Sequence, residues 1–302
     1  MANLNAGPGL YASLNNINPP SDLSEFEPFL DAGLQRYCAF VFVPNSTLPT
    51  TMDWYTTVNG SQPQGLDTNG TGTTESWAAF FKMFADQGVQ VGFTFGGEGG
   101  TNGLGPMLEG LNNSTSGFSQ FVATLQSYNV SFIHFDIEGS WATPPGFIDQ
   151  FQQFAQTLTL VSKGTIAIEV GASAPIGTVD NSPSQAPAYL TPAFVQQNSI
   201  FFNVYTYYTL EVDNVVSSNT PWIPCDTDIP ASNILFSVTC NNTTPAPSGQ
   251  MDFTDFMNEF PSSELLSTVK NEGYLGFDTW VWWQTPIYPQ SNCLALFQQS
   301  AT

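Results

Sequence analysis

Phe132-Ile133-His134-Phe135-Asp136-Ile137-Glu138-Gly139 sets three ionisable side chains at every second position of an otherwise apolar segment. Successive side chains of a β-strand point to opposite faces, so His134, Asp136 and Glu138 share one face while Ile133, Phe135 and Ile137 share the other. One face reads as core, the other as a row of titratable groups. Burying an unpaired carboxylate costs several kcal/mol, and two neighbouring carboxylates push their pKa values apart, which is how a protein keeps one carboxyl protonated near neutral pH.

Outward from this segment, short apolar runs recur along the whole chain. They predict strands over 9–14, 37–43, 89–95, 132–138, 165–170, 200–207, 234–239 and 274–282. Helical spacing separates most of them, over 25–34, 76–87, 117–127, 146–162, 192–197, 252–271 with a break at Pro261, and 293–300. Between the sixth and seventh strands, 211–232 shows no clear helical pattern. Strands alternating with helices imply right-handed βαβ units, and eight units over about 250 residues is the arithmetic of a closed (β/α)8 TIM barrel. A single domain over 1–302 is therefore expected. A doubly wound sheet would also alternate, but Gly96-Gly97-Glu98-Gly99-Gly100 is not the GxGxxG dinucleotide fingerprint.

The net charge of −21 reflects a scarcity of bases, Arg36, Lys82, Lys163 and Lys270, in a chain only 10% charged. That balance repels phosphate backbones and anionic lipid, so no nucleic acid and no membrane surface is expected as a partner. No apolar run is long enough to span a membrane. Asn-x-Ser/Thr acceptors at Asn45, Asn59, Asn69, Asn112, Asn113, Asn129, Asn241 and Asn242 point to a glycosylated extracellular protein whose signal peptide is absent from this chain. The four cysteines lack zinc-site spacing. Cys225 and Cys240 flank a segment that a disulfide could close; Cys38, inside an apolar strand, reads as a buried thiol, with a Cys38 to Cys293 bridge as the alternative. His134 is the only histidine, which excludes a multi-histidine metal site, and no cofactor is expected.

In a barrel, catalytic groups sit at the C-terminal ends of strands, and Glu138 occupies that place on the fourth strand with Asp136 one inward step below. Such a pair suits glycoside hydrolysis, where one acid protonates the leaving oxygen while a second group stabilises developing positive charge. Other strand ends fit a carbohydrate: Thr94-Phe95-Gly96-Gly97 on the third, Asn203-Val204-Tyr205-Thr206-Tyr207-Tyr208 on the sixth, Thr279-Trp280-Val281-Trp282-Trp283 on the eighth, and Tyr11 on the first. Sugar rings stack on Trp and Tyr, and glycines admit close backbone approach.

These residues resemble glycoside hydrolase family 18, the chitinase and endo-β-N-acetylglucosaminidase family, and most closely its hevamine-type, class III chitinases. The end of the family's fourth-strand signature DxxDxDxE is matched by Asp136 and Glu138. Its SxGG element is similar to Thr94 to Gly97, its sixth-strand tyrosine corresponds best to Tyr207, and its eighth-strand tryptophan to Trp280. The resemblance implies a retaining, substrate-assisted mechanism. In it Glu138 protonates the glycosidic oxygen, the substrate's N-acetyl oxygen attacks the anomeric carbon, and Asp136 orients the acetamido N–H. Tyr207 would hydrogen-bond the acetamido oxygen, Trp280 would floor the subsite, and Gly96, Gly97, Tyr11 and His134 would line it. Two positions depart from the signature: Ser131 replaces its first Asp and His134 its second, where hydrogen bonding of His134 to Asp136 is expected.

The leading expectation is thus hydrolysis of β-1,4-linked N-acetylglucosamine polymers, with an oligosaccharide or polysaccharide containing N-acetylglucosamine as partner. Cleavage within the chitobiose core of N-glycans is a second enzymatic reading. A silent relative, serving as a glycan-binding, structural or storage glycoprotein, is the third, motivated by Ser131 and His134.

Overall fold

The computed structural model describes residues 1–13, 19–44, 54–56, 64–65, 74–96, 104–137, 147–172, 191–205, 229–239, 253–281 and 291–301. Ten strands are present among them: β1 (Gly9–Ser13), β2 (Arg36–Pro44), β3 (Trp54–Thr56), β4 (Gln64–Gly65), β5 (Gln90–Gly96), β6 (Val130–Ile137), β7 (Ala167–Ala172), β8 (Ile200–Tyr205), β9 (Ile234–Thr239) and β10 (Phe277–Val281). Eight of them pair in parallel in the cyclic order β1-β2-β5-β6-β7-β8-β9-β10, and β10 returns to β1 through Gly9 opposite Asp278 and Tyr11 opposite Trp280. The sheet therefore closes into the expected barrel. The antiparallel β3 and β4 extend it beyond β2, a feature the apolar runs did not indicate because both strands are two or three residues long.

Nine α-helices are described: α1 (Glu27–Asp31), α2 (Thr74–Asp86), α3 (Leu104–Asn112), α4 (Thr115–Ser127), α5 (Phe147–Val161), α6 (Pro192–Gln197), α7 (Phe253–Glu259), α8 (Glu264–Asn271) and α9 (Ser291–Ala301). Hydroxyl caps fix several starts: Ser114 Oγ accepts from the Gly117 amide at 3.1 Å and Ser263 Oγ from the Leu266 amide at 3.2 Å. The predicted break at Pro261 falls in the 3-10 turn Phe260–Ser262 between α7 and α8. Helix α3 was not anticipated. Gly105, Pro106 and Gly110 obscure its pattern, yet Pro106 lies in the first turn, where it removes no needed donor, and Leu104, Met107, Leu108 and Leu111 form its buried face. Most of 211–232 lies outside the described residues.

Alternation along the strands divides the core into two layers. Ile133 and Phe135 of β6 pack outward with Phe93, Phe95, Phe121 and Phe154 beneath the helices. Inside the barrel, Phe132, Ala167, Phe201, Leu235 and Leu275 form an apolar base, with Tyr11, Tyr205 and Trp280 in the same cluster. The interior is otherwise polar: Arg36, His134, Asp136, Glu169, Asn203 and Asp278 are all buried there. Since polar groups removed from water must find partners, these side chains bond chiefly to one another.

Cys38 is a free, buried thiol, so the alternative bridge from Cys38 to Cys293 does not form. Its Sγ lies 3.2 Å from Thr94 Oγ1, and burial raises its pKa well above the usual thiol range, which makes it inert. Cys293 is disulfide-bonded. Cys225 and Cys240, expected to close on each other, lie outside the described residues.

Of the glycosylation acceptors, Asn113 sits on an exposed turn before α4, and Asn129 is half-buried in a left-handed turn with φ of 60° entering β6. Asn45, Asn59, Asn69, Asn241 and Asn242 lie outside the described residues.

Candidate active site

The site is a hydrogen-bonded chain across three adjacent strands. Asp136 stands near the C-terminal end of β6, 3% exposed, and its Oδ1 accepts a hydrogen bond of 2.6 Å from the Tyr205 hydroxyl of β8. The same hydroxyl lies 3.0 Å from Nε2 of His134. On the other side of the imidazole, Nδ1 lies 2.8 Å from Oε1 of Glu169 and 3.0 Å from the Tyr11 hydroxyl. Parallel register explains the arrangement: His134 is directly opposite Glu169 on β7, and both point inward. Tyr11 and Asn203 also donate to Glu169 Oε1, the latter at 2.6 Å.

Aromatic rings wall this chain. Trp280 stacks on Tyr11 with centroids 4.6 Å apart and an interplanar angle of 13°, and both rings meet His134 edge-on. Trp280 Nε1 donates at 2.7 Å to Ser237 Oγ, which donates in turn to Asn203. The indole is thereby held at both ends, and its relative exposure is only 2%. Beneath lies a buried ion pair, Arg36 with Asp278 at 2.7 Å, the guanidinium also donating to the carbonyls of Asn5 and Gly7.

Burial pushes the Asp136 carboxyl up to about 7, against the Tyr205 hydrogen bond, which pulls it down. Burial acts on Glu169 in the same direction, but the His134 charge and the hydrogen bonds from His134, Tyr11 and Asn203 outweigh it and hold Glu169 below the ordinary carboxylate range. The two carboxyls are thus driven apart. An unfolded chain releases the Asp136 proton near pH ~3.9. Between that value and about 7 the folded state binds more protons. Stability therefore falls as pH rises through this window, by about 1.4 kcal/mol per pH unit for one such carboxyl, and levels off above it. Glu169 acts oppositely, but only at lower pH. The urea midpoint is expected to be lower at about pH 8 than at about pH 5, and Asp136→Asn to reduce the difference, Asp278, also raised to about 7, supplying the remainder; a midpoint that rises with pH in the wild type contradicts this.

Gly171 of β7 makes room for the chain. A methyl group there would overlap the Tyr205 hydroxyl and come within 2.7 Å of His134 Nε2. Gly171→Ala is expected to destabilise by about 1–3 kcal/mol through this overpacking. It should also break the Tyr205 bond to His134, visible as a changed imidazole signal in NMR. An unchanged signal would show that the space is not needed. Gly96 answers a different demand: at φ of 114° it packs against the Asp136 carbonyl, where a side chain has no space.

Of the residues singled out in the sequence, Asp136, His134, Tyr11, Trp280 and Gly96 come together here. Glu138, Tyr207 and Gly97 lie outside the described residues. The tyrosine that reaches Asp136 is Tyr205. His134 does not bond Asp136 directly, as had been expected; Tyr205 stands between them. Glu169 was missed altogether, although a lone glutamate in Ala167-Ile168-Glu169-Val170 carried the same signal as His134 and Asp136.

No protein-family model and no curated protein matches the chain. Solved structures do. A family 18 chitinase from Pseudoalteromonas aurantia is 14% identical with a TM-score of 0.55, over 96% of this chain and 99% of that one. A chitinase from Rhizomucor miehei is 13% identical with a TM-score of 0.57, over 97% and 99%. A family 18 chitinase from Cycas revoluta, solved in complex with (GlcNAc)3, is 12% identical with a TM-score of 0.56, over 98% and 99%. At such identities the likeness is one of architecture: this chain has the (β/α)8 barrel fold of the family 18 chitinases.

Proposed function

We propose that the protein is a retaining, substrate-assisted glycosidase acting on β-1,4-linked N-acetylglucosamine polymers. The observation that supports this best is the Asp136 carboxyl, buried, raised to about 7 and held by Tyr205 two residues before Glu138 in a barrel of chitinase fold. Glu138 then acts as general acid toward the glycosidic oxygen. Asp136 receives the acetamido N–H and stabilises the positive oxazolinium ion formed when the acetamido oxygen attacks the anomeric carbon. Tyr205 fixes the rotamer of Asp136. The N-acetylglucosamine oligomer bound by the Cycas revoluta enzyme supports this substrate class. Glycosylation and an extracellular location belong to the same proposal.

Because the nucleophile is the substrate's own acetamide, the discriminating experiment compares an N-acetylglucosamine oligomer with its fully deacetylated counterpart. Cleavage of the first and not the second is expected; equal cleavage of both would refute substrate assistance. The N-glycan reading differs only in substrate, and release of glycans from a glycoprotein without action on chitin would favour it.

One observation favours the silent structural or storage reading: Trp280, at 2% exposure, presents no open ring face to a sugar. Failure of the protein to cleave or to bind the oligomer would support that reading.

A further inference from the structure

We propose that Tyr205 and His134 form a proton relay for Asp136, with Glu169 as the residue that positions the imidazole. The Tyr205 hydroxyl lies 2.6 Å from Asp136 Oδ1 and 3.0 Å from His134 Nε2 but has only one proton to give. Two arrangements satisfy both hydrogen bonds. In the first, Asp136 is ionised, Tyr205 donates to it, and Nε2–H donates to the Tyr205 oxygen. In the second, the Asp136 carboxyl donates to Tyr205, and Tyr205 donates to an unprotonated Nε2.

The two arrangements hold the same protons and the same net charge. They interconvert by two hops: the Asp136 O–H bond breaks as its proton binds the Tyr205 oxygen, and the original Tyr205 O–H bond breaks as that proton binds Nε2. No proton enters or leaves. In both arrangements Nδ1 keeps its hydrogen, because the atom 2.8 Å away is the Glu169 oxygen, an acceptor that already receives Tyr11 and Asn203. Glu169 thereby fixes which nitrogen faces Tyr205.

Burial makes such a relay useful. His134 has no exposed surface and Asp136 only 3%, so the relay gives the Asp136 proton a local acceptor that does not pass through bulk solvent. Among the described residues, the other ionisable groups around the imidazole are Tyr11 of β1, held neutral by burial, and Asp278 in its ion pair with Arg36. None of these bridges to Asp136. The catalytic consequence, that Asp136 becomes ionised as positive charge develops on the substrate, rests on the function proposed above. The relay itself does not.

His134 is the only histidine, so nitrogen-15 labelling of histidine reports this one ring. In the whole protein without substrate at about pH 7, Nδ1 is expected to carry a proton, while Nε2 gives a signal averaged between the protonated and unprotonated forms of the two arrangements. Asp136→Asn, which removes the carboxyl that shares the proton, should shift that averaged Nε2 signal clearly toward the unprotonated form. In a Tyr205→Phe background the same change should have no effect on it. Glu169→Gln should let both ring tautomers appear. An unprotonated Nδ1 in the wild type, or an Nε2 signal that Asp136→Asn leaves unchanged, would overturn the proposal. Since the readout needs no turnover, the relay and the glycosidase reading can fail separately.

Discussion

Glu138→Gln is expected to lower kcat on an N-acetylglucosamine oligomer by about 10²- to 10⁴-fold, the usual contribution of a positioned general acid. The amide keeps the shape of the carboxyl and loses only its ability to give up a proton, so binding of the ground-state oligomer should change little. KM, or the affinity measured directly by calorimetry, should therefore stay within about threefold while kcat collapses. The assignment does not rest on Glu138 alone. Asp136, two residues earlier in the chain, has its carboxyl raised to about 7 by burial and anchored to Tyr205. In the proposed mechanism Glu138 is the acid and Asp136 the stabiliser. Steady-state kinetics decide: equal rates for wild type and Glu138→Gln would remove Glu138 from the reaction.

The second large effect concerns stability. Arg36→Met is expected to cost about 3–5 kcal/mol, because it leaves Asp278 buried without its counter-ion. Arg36 is one of four basic residues in the chain, fully buried, and holds Asp278 at 2.7 Å as well as two carbonyls of the N-terminal segment. Burial pushes the Asp278 carboxyl up to about 7 against the pull of Arg36. An orphaned Asp278 can then take up a proton in acid, so the cost should be smaller at about pH 5 than at about pH 8. Adding Asp278→Leu should recover a substantial part of it, since replacing both partners of a buried ion pair by apolar groups is often nearly neutral. Urea unfolding of the three variants measures this. A double variant no more stable than Arg36→Met would show that the carbonyl contacts, not the buried charge, dominate.

How far the sequence foretold this molecule depends on how local each signal was. The alternation through Phe132 to Glu138 was legible because strand parity is a property of consecutive residues, and the eight barrel strands followed from the same signal. Lateral contacts were not. Tyr205 reaches Asp136 only through the register of the barrel strands, which the order of residues does not carry, while Tyr207 lies outside the described residues. Glu169 became part of the site only because the register sets it opposite His134. The expectation that His134 would bond Asp136 failed for a related reason. Side chains two apart on one strand stand about 6.6 Å apart at their α-carbons, and the Tyr205 hydroxyl from two strands away fills the gap. Local composition misled at α3, where two glycines and a proline hid a buried helical face.

If Asp136 assists an attack by the substrate's own acetamide, the stereochemistry of the first product reports it most directly. Proton NMR taken within the first minutes of hydrolysis of an N-acetylglucosamine oligomer should show the new reducing end as the β-anomer, the configuration of the bond that was cut. Release of the α-anomer would require direct displacement by water and would contradict the account.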